Sequence, residues 1–109
     1  MKVEYIGGVT IISTESRLDS LDGPKLKDVV RELPQESGLK VVIDMGNTLF
    51  LDSSGCGGLV SSLNTILNNN GEMKIARLTP RVIEVLRLTR LHRVLEIHDT
   101  VESAVASFN

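Results

Sequence analysis

One hundred and nine residues fill one domain of ordinary size and leave no room for a second core. Twelve Lys and Arg against fourteen Asp and Glu give a net charge of −2, which disfavours electrostatic binding along a duplex, and the three aromatics Tyr5, Phe50 and Phe108 make no stacking platform for single strands, so no direct nucleic-acid contact is expected. The single cysteine, Cys56, permits neither an internal disulfide nor a cysteine zinc cluster, and the start Met1-Lys2-Val3-Glu4-Tyr5 lacks the apolar run of a secretory signal, so a reducing cytoplasm is the expected compartment.

Val3 and Tyr5, then Val9 and Ile11, alternate with polar or smaller residues around Gly7-Gly8. That pair supplies the positive φ of a tight hairpin, so two antiparallel strands are expected to open the chain. Beyond Leu18-Asp19-Ser20, the residues Leu26, Val29, Val30 and Leu33 recur at helical spacing, with Pro24 early enough that its missing N–H matters little. This first amphipathic helix ends at Leu33-Pro34. Val41-Val42-Ile43 is a continuous β-branched run, the pattern of a central strand covered on both faces. Cys56, Leu59, Val60, Leu63, Ile66 and Leu67 trace a second helix over about Ser54 to Asn69, stopped by Asn68-Asn69-Asn70-Gly71. Its uncharged stretch, Ser53 to Gly71, holds too many serines and asparagines for hydrocarbon, so no membrane insertion is expected.

Met73, Ile75 and Leu78 suggest a further strand. Thr79-Pro80 reads as the N-cap and first residue of a third helix with Val82, Val85 and Leu86 buried, and Val94-Leu95-Glu96-Ile97 as a short last strand. Asp99 with Glu102 resembles a capping box before a fourth helix lined by Val101, Ala104, Val105 and Phe108. The order β-β-α-β-α-β-α-β-α predicts a single α/β domain over 1–109: a mixed sheet of about five strands, an N-terminal hairpin followed by parallel strands, with four helices. In open α/β sheets the functional crevice lies beyond the carboxyl ends of the strands, which points to Asn47 to Gly57.

The loop Leu49-Phe50-Leu51-Asp52-Ser53-Ser54-Gly55-Cys56-Gly57-Gly58-Leu59 sets two hydroxyls at a helix start, and two readings fit them. Ser53 or Ser54 caps the first turn, worth about 1 kcal/mol, with Gly55 allowing close approach. Alternatively one hydroxyl stands exposed at the positive end of the helix, where an added phosphate meets backbone N–H groups and the fold survives. A phosphoserine brings about −1.5 to −2 charge beside Asp52, so it would alter what this surface docks against.

Ile43-Asp44-Met45, then Phe50-Leu51-Asp52-Ser53-Ser54-Gly55 and Leu59, with Leu18-Asp19 before the first helix and Thr79-Pro80 before the third, resemble the STAS domain of bacterial anti-sigma-factor antagonists over essentially the whole chain. The resemblance implies a cytoplasmic regulator without catalysis of its own and without a cofactor. It would be phosphorylated on the second serine of the motif, Ser54, by a partner serine/threonine kinase that is also the anti-sigma factor. Unphosphorylated, it would bind that kinase and free the sigma factor, and a phosphoserine phosphatase would reset the cycle. Asp52 and Ser53 border the acceptor and are implied in partner contact and loop geometry; Asp19, Gly55, Cys56 and Gly57 fall in the same partner-binding face. Two positions depart from the family pattern: Cys56 stands where a large aliphatic residue is usual, and Gly58 is expected to loosen the first helical turn. The alternative on the same fold is an accessory module of a transporter or lipid-transport system, binding a small ligand or partner subunit without phosphorylation.

Other chemistry is weakly signalled. Cys56 at a helix start could be an activated nucleophile, yet it lies on the apolar stripe with no base nearby in sequence. Gly55-Cys56-Gly57-Gly58 matches neither phosphate-loop fingerprint. His92 and His98 flank the last strand and read as surface residues, with no carboxylates at metal-ligand spacing. Arg77, Arg81, Arg87, Arg90 and Arg93 form a basic run near the third helix that reads as a solvated face, or as a contact for an acidic partner, an anionic lipid or a nucleotide.

Overall fold

In the computed structural model, which describes residues 1–34 and 36–108, Gly7 and Gly8 take φ of 55° and 81° and fold the first strand back on the second, with Ile6 opposite Val9. Gln35 and Asn109, the other members of the expected 1–109 domain, lie outside the described residues. In chain order the elements are β1 (Lys2–Ile6), β2 (Val9–Ser13), β3 (Arg17–Leu18), α1 (Asp22–Glu32), β4 (Lys40–Asp44), β5 (Phe50–Leu51), α2 (Ser53–Asn68), β6 (Glu72–Ala76), α3 (Pro80–Leu88), β7 (Glu96–His98) and α4 (Val101–Ala106). The main sheet runs β1-β2-β4-β6-β7, with β1 antiparallel and every later pairing parallel. The expected mixed five-stranded sheet and its four helices are present.

Successive strand residues point to opposite faces, and both faces here are covered. Val41 and Ile43 join Leu26, Val30, Leu59, Ile66, Val82 and Leu86 in the larger core, whereas Val42 joins Val9, Ile11, Ala76 and Ala104 of α4 in the smaller one. The unbroken Val41-Val42-Ile43 run is therefore required, since each of its residues serves a core and each is fully buried. Burying such a side chain is worth about 1.5–3 kcal/mol. Leu33 leaves α1 with extended backbone, φ −63° and ψ 147°, as the following proline requires.

Several boundaries depart from the expected ones. Arg17–Leu18 and Phe50–Leu51 form a small second sheet, β3 with β5 in parallel, where only loop was expected. The last strand is Glu96–His98 rather than 94–97, because Leu91–Arg93 coils into a 3-10 turn that carries Val94 out of register. His98 thus sits inside the strand, hydrogen-bonded to Glu96 at 2.6 Å, and is not a free surface histidine. Leu78 falls beyond β6. α4 is capped by Thr100, whose hydroxyl accepts the Ser103 N–H, so Asp99 is one residue too early to cap it. Thr79 precedes α3 as expected, but its hydroxyl donates to the Thr48 carbonyl at 2.9 Å instead of capping. At the end of α2 the left-handed residue is Asn70, at φ 59°.

Candidate functional site

Two strand-to-helix corners lie side by side. The β3–β5 pairing is extended by Leu49 and Phe50 N–H groups that both donate to the Ser16 carbonyl, at 2.9 and 3.2 Å, so α1 and α2 begin next to one another. Their contact is main chain on main chain. A Cβ on Gly23 would come within 2.6 Å of the Ser54 carbonyl oxygen, one on Gly58 within 2.6 Å of the Gly23 carbonyl oxygen, and one on Gly55 would collide with the Leu18 carbonyl and the Leu51 side chain. Gly58, expected to loosen the first turn, is a packing position in a tight seam.

The loop ahead of α2 hangs on Thr48, which is fully buried. Its hydroxyl donates to the Glu15 carbonyl at 2.6 Å and shares a 2.6 Å hydrogen bond with Thr14, while its own carbonyl accepts from Thr79. Below it, Asp44 accepts two hydrogen bonds from Arg77, Nε at 2.8 Å and Nη2 at 3.2 Å, and one from the Gly46 N–H at 3.0 Å. Arg77 thereby leaves the basic run and becomes a strap across the strand ends; Arg81, Arg87, Arg90 and Arg93 remain exposed. Thr14, Thr48 and the Asp44–Arg77 pair had no local sequence signature as loop supports.

Asp52 caps α2. Its backbone is extended, φ −117° and ψ −172°, its Oδ1 accepts the Gly55 N–H at 3.0 Å, and its carbonyl accepts the Cys56 N–H at 2.9 Å. Capping by Ser53 or Ser54, the first reading of the two hydroxyls, is thus overturned: both are helical residues of the opening turn, both are exposed, and neither hydroxyl has a hydrogen-bond partner among the described residues. Ser54 lines a cleft of about 370 Å³ between the helix starts, together with Ser20, Pro24, Lys27 and Gly57.

The remaining expected site residues divide. Asp19 is a turn-maker: Oδ1 accepts the N–H groups of Leu21 and Asp22 at 3.0 and 3.3 Å, and these bonds, with a lesser contribution from Arg17, hold its carboxyl below the usual carboxylate range. Arg17 in turn bonds Asp19 and lies 4.2 Å over the Phe50 ring. Gly55 is buried in the seam, whereas Gly57 is exposed and a Cβ there would meet nothing within 4 Å. Cys56 packs in the larger core, and burial pushes its thiol pKa up, the opposite of what an activated nucleophile needs. Leu21, Leu49 and Phe50 leave an exposed apolar fringe on the loops around this corner. No group of metal-ligating side chains occurs among the described residues, and no helix among them is long and apolar enough to cross a membrane.

Comparison with known proteins agrees with this geometry. The STAS domain family matches residues 1–104. An anti-sigma F factor antagonist from Paenibacillus polymyxa is 26% identical over 106 residues, covering 96% of this chain and 91% of its own. A solved anti-sigma-factor antagonist (STAS) domain protein from Planctomyces limnophilus superposes with a TM-score of 0.83 at 24% identity, covering 96% of this chain and 94% of its own. A sulfate transporter family protein from Wolinella succinogenes has the same fold, with a TM-score of 0.78 at 17% identity over 93% of this chain and 84% of its own. The domain match covers nearly the whole chain, and the chain belongs to the STAS domain family.

Proposed function

We propose that this chain is an anti-sigma-factor antagonist, a cytoplasmic protein-binding regulator without catalysis of its own that is switched by phosphorylation of Ser54. Unphosphorylated, it binds an anti-sigma factor that is also a serine/threonine kinase; phosphorylated, it releases it, and a phosphoserine phosphatase restores the first state. The observation that carries this reading is the contrast within four residues: Asp52 is committed to the cap and Gly55 to the seam, while the Ser54 hydroxyl between them is exposed and has no hydrogen-bond partner among the described residues. In the transfer, Ser54 Oγ would attack the terminal phosphorus of a nucleoside triphosphate held by the kinase. The hydroxyl proton would pass to a base on the kinase, and the diphosphate would leave.

The relatives' names support the antagonist role, and the setting supports the switch. Ser20, which follows Asp19, and Gly57 line the same cleft as the acceptor, and Asp52 and Ser53 directly precede it in the chain, so a new dianion there would meet a partner docked on this face. Moving a binding equilibrium from 1:99 to 99:1 takes about 5.5 kcal/mol, within the cost of one uncompensated charge buried in an interface. The test is intact-mass measurement of the protein from its native cells, with and without phosphatase. We expect one phosphate on the wild-type chain, removed by phosphatase and absent from Ser54→Ala, and a Ser54→Ala protein that still captures the kinase while Ser54→Asp captures it weakly. Phosphate retained by Ser54→Ala would refute the assignment, and a chain that carries none yet co-purifies with transporter subunits would establish the accessory-module reading instead.

A further inference from the structure

We propose, resting on the reading of Ser54 as the phosphoacceptor, that Lys27 is the internal counter-charge of the phosphorylated state: the cleft between the starts of α1 and α2 seats a Ser54 phosphate against the Lys27 ammonium. Gly23 and Lys27 stand one helical turn apart on α1, and it is Gly23 that touches the Ser54 carbonyl and Gly58. Lys27 therefore lies on the face of α1 turned toward α2. Helical side chains lean toward the N-terminus, which carries its long stem back along the helix into the cleft that Ser54 and Gly57 also line.

The other cations near this corner are engaged. Arg17 bonds Asp19 and covers Phe50, and Lys25 pairs with Asp22 at 3.5 Å. The Lys27 ammonium has no ion pair or hydrogen bond among the described residues, and the residue is only partly exposed. The carboxylates nearest in the chain are likewise spoken for, Asp19 by its turn N–H groups, Asp22 by Lys25 and Asp52 by the Gly55 N–H, and none of the three lines the cleft. A dianion on Ser54 thus finds one uncommitted cation within the same cleft, and the absence of a side chain on Gly57 leaves it room. Seating the phosphate this way also withdraws the Lys27 charge from the docking surface, so one modification changes two features that a partner would read.

The test places phosphoserine at position 54 of the full chain during translation and follows its second ionisation by phosphorus NMR. An isolated phosphoserine loses that proton near pH 6 or so, and the wild-type value should lie below this. Lys27→Gln should raise it by about half a pH unit, Lys27→Arg should restore it, and Lys25→Gln, on the same helix but already paired, should leave it in place. Nitrogen NMR of the lysine ammonium groups, with and without the phosphate, needs no substitution and should show Lys27 moving most. An unchanged titration in folded Lys27→Gln, an equal rise in Lys25→Gln, or an unmoved Lys27 resonance would each overturn the proposal. Because the phosphate is installed without a kinase, such a failure leaves the phosphorylation reading standing, and an unmodified Ser54 in native cells would sink that reading without touching this result.

Discussion

The α1–α2 seam and the α4 face hold their elements by opposite means. At the seam, Gly23, Gly55 and Gly58 let backbone lie on backbone, and hardly any ionised group takes part in the contact. At the α4 face, a small apolar cluster is supplemented by a polar clamp. The Lys74 ammonium sits between Ser107 Oγ at 2.6 Å and Glu96 Oε2 at 2.9 Å, 4.4 Å over the Phe108 ring, and the same Glu96 oxygen meets His98. The seam should accordingly tolerate changes of charge and resist changes of volume, and the clamp the reverse. A switch that adds charge without moving the backbone belongs at the first.

The largest effect should come from adding volume where the seam is tightest. Gly55→Val sets a Cβ against the Leu18 carbonyl and Leu51 and adds two methyl groups to it, and overpacking of this kind costs about 3 kcal/mol or prevents folding. Gly58→Ala places its methyl against the Gly23 backbone and should cost about 1–3 kcal/mol, since neither helix can retreat without opening the core. Gly57→Ala, one position away, meets open space and should stabilise α2 by up to about 1 kcal/mol through helix propensity alone. Urea unfolding of the three variants checks the series; a Gly58→Ala protein as stable as Gly57→Ala would mean that the seam is not tight.

That pair also shows where the sequence was legible. The hairpin, the helices and the parallel order could be read because apolar periodicity over five or more residues reports which face is buried. Gly57 and Gly58 look alike in sequence, and only the rotation of α2 against α1 tells the packed one from the open one. Asp52, Ser53 and Ser54 are all good caps, so which of them caps is decided by where the backbone turns from extended to helical. The two-residue strands β3 and β5 are too short to show any period. Asp44 and Arg77 lie 33 positions apart, and Thr14 and Thr48 lie 34 apart, separations across which a single chain carries no signal. The serine is legible as a motif, but its freedom depends on Asp52 taking the cap.

The clamp should respond to acid. Hydrogen bonds from His98 and then Lys74 hold the Glu96 carboxyl below its ordinary value of 4.5. A depressed carboxyl contributes stability that is present above the unfolded value and lost as pH falls through the folded one. The stability difference between wild type and Glu96→Gln should therefore be constant near neutrality and shrink below about pH 4.5. Glu96 is 55% exposed, so the difference should be small and weaken further in high salt. Melting curves over that pH range, at two salt concentrations, decide the matter. A difference that widens in acid would show that the clamp works through another group.

The smallest effect is expected at Ser62, inside α2 and fully buried, whose hydroxyl finds no hydrogen-bond partner among the described residues. Burying an unbonded hydroxyl costs about 1–3 kcal/mol, and Ser62→Ala removes that cost while leaving a gap only one oxygen wide and gaining helix propensity. The two changes against wild-type packing nearly offset, so the variant should be equal to or up to about 1 kcal/mol more stable than the parent. Thr48→Val supplies the contrast, because there the buried hydroxyl is fully bonded and its loss strands the Glu15 carbonyl, at about 1–3 kcal/mol. If Ser62→Ala were the more damaging of the two, the Ser62 hydroxyl would have to be bonded in solution, and α2 would sit differently on α1 from the arrangement that frees Ser54.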